Sequence, residues 1–102
     1  MIRIAIIAAF LAMPAYAGND EITQEKSCGY QAEIVAAIQK ARLDRVKERD
    51  VPQAIADTNP TWPATYNAAI PLMTPWVYEK KRRVIRNEDL SAAWKELCLQ
   101  QQ

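Results

Sequence analysis

Apolar residues recur with helical spacing along the chain, and no stretch alternates with the period of two that is typical of strands. The first helix is predicted from Cys28 to about Arg49, with Ser27 as its N-cap. Val51-Pro52 is expected to end this helix, because the residue before a proline is disfavoured in the α region. Its apolar residues form one broad face: Cys28, Ala32, Ile34, Val35, Ile38, Ala41, Leu43 and Val46.

Prolines divide the rest of the chain into shorter predicted helices. One runs from about Ala64 to Ile70 and is ended by Pro71. The next begins at Thr74-Pro75, a capping hydroxyl followed by a proline at the first helical position, and runs to near Arg86. Asn87 is the expected N-cap of the last helix, whose apolar stripe consists of Leu90, Ala93, Trp94, Leu97 and Cys98.

Together these elements predict an all-α fold, a small bundle of about four helices joined by one disulfide between the first and last helix. In an antiparallel bundle with an even number of helices, the start of the first helix lies beside the end of the last. Cys28 and Cys98 occupy those two ends. A disulfide there would close a loop of about 70 residues, which stabilises a fold by roughly 4 kcal/mol. The alternative is a pair of free thiols, but the chain has no C-x-x-C pair.

The first seventeen residues predict a secretion signal. Arg3 supplies the positive charge, an apolar run from Ile4 to Met13 follows, and a small-x-small site ends at Ala17. Cleavage between Ala17 and Gly18 is therefore expected, with a flexible leader over residues 18–27 and a helical domain over residues 28–102. The alternative for residues 1–17 is a buried N-terminal helix. Export to the periplasm or outside the cell would supply the oxidising conditions that a disulfide requires.

Charge and composition exclude several classes of function. Removal of Arg3 leaves twelve basic and twelve acidic residues, so we expect no nucleic-acid partner. The chain has no histidine, which excludes Ser-His-Asp and Cys-His catalysis and imidazole metal ligands. No glycine-rich phosphate loop is present, and the neighbouring Glu88 and Asp89 point in different directions on a helix. The sequence therefore predicts a non-catalytic protein without cofactor or metal.

Two groups of residues are candidates for binding. Aromatic residues in the proline-rich middle would suit a contact with a protein partner, and Trp62, between proline residues in a predicted loop, is the one most expected to be exposed. The alternative is that they belong to the core. Basic residues near the end of the predicted third helix would suit an anionic surface, although one continuous helix would spread them around its circumference as a solvated face. The candidate residues are Trp62, Tyr66 and Trp76 for the partner and Lys80, Lys81, Arg82, Arg83 and Arg86 for the anion.

A short signal peptide, Cys28 opening the first helix, Arg49-Asp50-Val51-Pro52 as a helix break and Cys98 near the end make a recognisable layout. This layout resembles small uncharacterised exported proteins of proteobacteria and their phages. It is also similar to small periplasmic helical proteins with one disulfide, such as acid-stress chaperones and immunity proteins. Export, the small disulfide-linked bundle, the missing catalytic chemistry and the expected exposure of Trp62 predict a protein that binds a periplasmic or envelope protein, as an inhibitor, immunity factor or accessory subunit. The alternatives are an anionic envelope surface bound through the basic helix, and acid-stress chaperoning.

Overall fold

The computed structural model describes residues 23–101, and this part of the chain is all-α, as predicted. It contains five α-helices, two 3-10 helices over Glu48–Asp50 and Ala64–Ala69, and no strand. The predicted signal peptide, its cleavage site at Ala17 and Gly18, and the first residues of the predicted leader lie outside the described residues. The α-helices are α1 (Gln24–Leu43), α2 (Val51–Ala56), α3 (Ile70–Tyr78), α4 (Arg82–Asn87) and α5 (Leu90–Leu99).

Helix α1 begins four residues earlier than the sequence pattern predicts. The Thr23 hydroxyl is the N-cap and accepts a hydrogen bond of 3.1 Å from the Lys26 backbone N–H. Residues 24–27, assigned above to a flexible leader, are therefore helical. Ser27 is free for another role, since its hydroxyl oxygen accepts hydrogen bonds from Gln31 Nε2 at 3.2 Å and from Tyr66 Oη at 3.1 Å.

The end of α1 also differs from the prediction, because the chain turns at Arg45 rather than at Val51-Pro52. Arg45 has a φ of 65°, and the Val46 N–H donates to the Ala41 carbonyl at 2.9 Å. This is a Schellman motif, which normally has glycine at the left-handed position. Pro52 instead lies in the first turn of α2, where a missing N–H removes no intrahelical hydrogen bond.

Two other proline signals, Pro71 and Thr74-Pro75, also lie at positions in α3 that differ from the prediction. Pro71 was expected to end a helix over Ala64 to Ile70, but it lies in the first turn of α3, and the residues before it form the 3-10 helix over Ala64–Ala69. Thr74 does not cap a new helix, since it is buried inside α3 and its hydroxyl donates to the Ile70 carbonyl at 2.6 Å. The chain leaves the helical conformation after Tyr78, so the predicted helix running to Arg86 is in fact two helices, α3 and α4.

Helix α5 packs along α1, and the predicted disulfide joins them. Cys28 in α1 and Cys98 in α5 are bonded, with 5.7 Å between their Cα atoms. Asp89, rather than Asn87, caps α5: its carboxylate accepts hydrogen bonds from the Ser91 hydroxyl at 2.7 Å and the Ala92 N–H at 3.0 Å. Both hydrogen bonds lower the pKa of Asp89, and the one from Ser91 has the larger effect.

The core lies between α1 and the shorter helices that cover it. Its largest fully buried side chains are Ile34, Ile38 and Ile85, so α1 and α4 both contribute to its centre. The predicted apolar face of α1 is confirmed up to Ala41, whereas Leu43 is exposed because the helix ends there. The remaining core members are Val35, Ala41, Val51, Ile55, Trp62, Ile70, Met73, Val77 and Leu90.

Gln39 of α1 holds the connection between α4 and α5. Its side-chain Nε2 donates to the carbonyls of Ile85 and Glu88, at 2.7 and 2.8 Å. Its Oε1 accepts from the Leu90 N–H at 3.3 Å, at the start of α5. One amide side chain thus pairs backbone groups at the end of one helix and the start of the next, groups that have no intrahelical partner.

The Gln39→Glu variant is therefore expected to lower the free energy of unfolding by about 2 kcal/mol, since the new side chain keeps its shape but loses both donors. Urea denaturation followed by circular dichroism measures this. Gln53→Glu is the matched control: Gln53 is exposed and bonds only to Asp57 one turn away, so its loss should stay below about 1 kcal/mol. Equal losses in the two variants would contradict the role given to Gln39.

Candidate functional site

The structure corrects the prediction that Trp62 is an exposed contact residue. Only 8% of its surface is accessible, and it belongs to the core cluster. Its indole N–H donates to the Asn67 side-chain oxygen at 2.7 Å, which satisfies its one polar group. Because this ring is packed in the core, it does not form part of a surface that a partner could contact.

Tyr66 and Trp76, the other two aromatic candidates, are half-buried and pack against the edge of the core. The Tyr66 ring lies 5.2 Å from that of Tyr30. Trp76 and Trp94 meet edge to face, with 5.2 Å between ring centroids. Trp94, a member of the predicted apolar stripe of α5, is also half-buried.

A chain of hydrogen bonds fixes Trp94. Its indole N–H donates to Gln31 Oε1 at 3.0 Å, and the Gln31 Nε2 donates in turn to the Ser27 hydroxyl. The Ser27 hydroxyl also accepts a hydrogen bond from the Tyr66 hydroxyl, so these hydrogen bonds connect α5 through α1 to the 3-10 helix over Ala64–Ala69. The ring is therefore held in one orientation while part of its face stays open to solvent.

Two grooves meet at Trp94. One, of about 500 Å³, lies between α3, α5 and the 3-10 helix over Ala64–Ala69, and includes Leu72, Met73 and Tyr66 in its lining. The other, of about 420 Å³, opens beside the disulfide and includes Leu97 and Cys98. Trp94 and Gln31 line both grooves, and neither groove is lined by a charged residue within the described part of the chain.

Exposed leucines flank the two grooves. Leu72 is 78% exposed and Leu97 is 48% exposed, and both are large apolar side chains. Contiguous apolar surface around an oriented aromatic ring marks an interaction site, whereas single exposed leucines do not. We call the surface formed by Leu72, Trp76, Trp94 and Leu97 the Trp94 surface.

The sequence pattern misses this surface for a local reason. Leu97 lies in the predicted apolar stripe of α5, but α1 covers only part of that stripe. Leu72 lies in the segment interrupted, in the prediction, by Pro71. Once α3 begins at Ile70, helical projection places Leu72 on the side opposite the buried Val77. Correct placement of the start of α3 would therefore have predicted the exposure of Leu72.

The five basic candidate residues are brought together differently from the prediction. Lys80 and Lys81 lie in the turn between α3 and α4, and Lys80 Nζ lies 4.4 Å from the centroid of the Trp76 ring. Lys80 Nζ is also 3.7 Å from a Glu79 carboxylate oxygen. The expected spread of Lys80 to Arg83 around one helix does not occur, because Lys80 and Lys81 precede α4. Within α4, helical projection places Arg82, Arg83 and Arg86 within about 100° of arc.

Arg42 stabilises this turn from α1. Its guanidinium lies 5.0 Å from the centroid of the Tyr78 ring and donates to the Lys80 carbonyl at 3.3 Å. The Tyr78 hydroxyl donates to the Val46 carbonyl at 2.7 Å, and burial raises the pKa of this tyrosine. The basic turn is therefore anchored on its inner side, while Lys81 faces solvent.

Residues 23–101 hold no group of three or more acidic, cysteine or histidine side chains arranged to bind a metal ion. Among the helices of the same residues, none has the length and apolar character needed to cross a membrane. Comparison of the chain with protein-family models, curated proteins and solved structures finds no match.

Proposed function

We propose that this chain is an exported, non-catalytic protein that binds another protein through the Trp94 surface. The observation that carries the proposal is the exposure of Leu72 beside an oriented Trp94. Tryptophan is enriched at the energetic centres of protein interfaces, and apolar neighbours exclude water around it. An inhibitor, immunity factor or accessory subunit would use such a surface.

Support for a binding role comes from how the surface is built. Trp94 is fixed by its hydrogen bond to Gln31, so little conformational freedom is lost when a partner covers it. The grooves on either side are lined by apolar side chains together with uncharged polar ones, which suits the insertion of a partner's apolar side chains. The absence of histidine from the whole sequence favours binding over acid–base catalysis.

Export is supported by two separate features of the chain. The first seventeen residues have the charge, apolar run and small-x-small site of a signal peptide. The Cys28–Cys98 disulfide is consistent with an oxidising compartment such as the periplasm. The partner is then expected to be a periplasmic, envelope or secreted protein.

Leu72→Ser is expected to abolish the capture of the partner, because it removes an anchoring side chain without disturbing the core. We expect at least a tenfold loss, about 1.4 kcal/mol, in affinity capture from an envelope extract of the cells that make the protein. Leu43→Ser is the matched control, since Leu43 is also exposed but lies at the end of α1. Equal capture by the two variants, with unchanged circular dichroism, would refute the proposed site.

A further inference from the structure

Building on the proposed function, we propose that the partner segment bound to the Trp94 surface is amphipathic, with acidic residues at the end that lies over the turn between α3 and α4. Leu72, Trp76 and Lys80 follow one another at intervals of four residues. Side chains with this spacing lie one above the other on a helix. Leu72 and Trp76 therefore share one side of α3, and Lys80, in the turn after the helix, places its ammonium group over the Trp76 ring on this side.

Trp76 is the link between the apolar and the basic parts. The edge-to-face contact with Trp94 places one side of its ring in the Trp94 surface. Lys80 Nζ lies 4.4 Å from the centroid of the same ring, where the negative face of an indole attracts an ammonium group. A partner segment that covers Trp94 and Trp76 therefore also reaches Lys80.

The residues that follow Trp76 in the chain are mainly basic. Residues 79–88 contain five basic and two acidic residues, and the three arginines of α4 share one side of that helix. The ion pairs found among the described residues include Lys80 with Glu79, but none that involves Lys81 or these arginines. A partner with carboxylates at this end would therefore meet cations still able to pair with it.

The concave shape of the apolar part favours a peptide segment over a lipid surface. A groove between two helices accepts side chains that project from a partner helix at intervals of three or four residues. A bilayer, by contrast, takes up an apolar face that projects from the protein. The adjoining grooves and the basic turn together match an amphipathic segment with one acidic end.

A displayed library of random peptides tests this inference without knowledge of the natural partner. Peptides of about 15 residues are long enough for four helical turns. They are selected on the disulfide-bonded protein after removal of those that bind the Leu72→Ser variant. We expect the enriched sequences to carry two apolar residues spaced by three or four positions and to gather acidic residues at one end.

The enriched peptides are then tested on two charge-reversal variants. Retention should fall about fivefold or more on Lys81→Glu, because a like charge now faces the acidic end. It should be unchanged on Lys40→Glu, the control, since Lys40 is an exposed lysine of α1 that pairs with Asp44. Both substitutions lie at exposed positions, so neither is expected to unfold the protein.

Four results would overturn the inference. Enriched peptides without an acidic end, or with equal retention on Lys81→Glu and the wild type, would refute the acidic end but leave the proposed function intact. A failure to enrich any Leu72-dependent peptide would count against both the acidic end and the proposed function. Salt-sensitive binding to phosphatidylglycerol vesicles that is lost in Lys81→Glu and kept in Leu72→Ser would assign the basic turn to lipid instead.

Discussion

Replacing both Cys28 and Cys98 with alanine is expected to lower the free energy of unfolding by about 4 kcal/mol. The disulfide closes a loop that separates its cysteines by 70 residues, so it restricts most of the described chain in the unfolded state. A domain of this size has a total stability of roughly 4–12 kcal/mol, so the loss removes a large part of it. Urea denaturation of the two proteins measures the difference directly.

A reducing agent provides the control for this prediction. It should destabilise the wild-type protein about as much as the double substitution does, and it should leave the double variant unchanged. The other side-chain contacts between this end of α5 and α1 include two single hydrogen bonds, of Gln24 with the Cys98 carbonyl and of Trp94 with Gln31, and an ion pair of Lys95 with Glu25. A loss below about 1 kcal/mol would contradict the disulfide's stabilising role, since hydrogen bonds of that strength would then suffice.

Trp62→Ala is expected to destabilise the fold by about 3–5 kcal/mol, the usual cost of removing a buried aromatic ring. The ring is a member of the core cluster and only 8% exposed, so its removal leaves a cavity under the loop that precedes the 3-10 helix of Ala64–Ala69. Thermal or urea denaturation would detect this as a large shift. Any effect of this variant on binding would then follow from unfolding and not from a lost contact.

Trp62→Phe is the matched control, because it keeps most of the ring volume and removes the hydrogen bond to Asn67. Its cost should be about 1–2 kcal/mol, well below that of the alanine variant. If instead Trp62→Ala were as stable as the wild type, the buried position of this tryptophan would be wrong, and an exposed contact residue would again be the better interpretation.

Much of the fold could be predicted because it depends on properties that are visible in one sequence. The apolar periodicity of residues 28–41 and 90–98 gives the two helices that pack together, and the cysteines at their outer ends give the disulfide. The predicted helix boundaries were wrong where two local signals compete. Thr23 and Ser27 both offer a capping hydroxyl, and Pro71 is compatible with either the end or the start of a helix.

The candidate site was harder to predict because it depends on which surfaces neighbouring helices leave uncovered. The flanking prolines made Trp62 look like a loop residue exposed to solvent, whereas the loop folds this ring into the core. Leu97 has nothing in its local sequence that distinguishes it from a core leucine, and Leu72 is placed on the outer side of α3 only once the start of that helix at Ile70 is known. Their exposure follows from the packing of α3 and α5 against α1, which is a property of the tertiary structure.

Photo-crosslinking in the cells that make the protein tests the central claim most directly. A benzophenone amino acid is placed at Leu72, within the Trp94 surface, and in a second protein at Leu43, an exposed leucine outside it. We predict that illumination links position 72, and not position 43, to one defined protein of the cell envelope. Equal crosslinking from both positions, or none from position 72 in a correctly folded and oxidised protein, would contradict the proposal that this surface binds a partner.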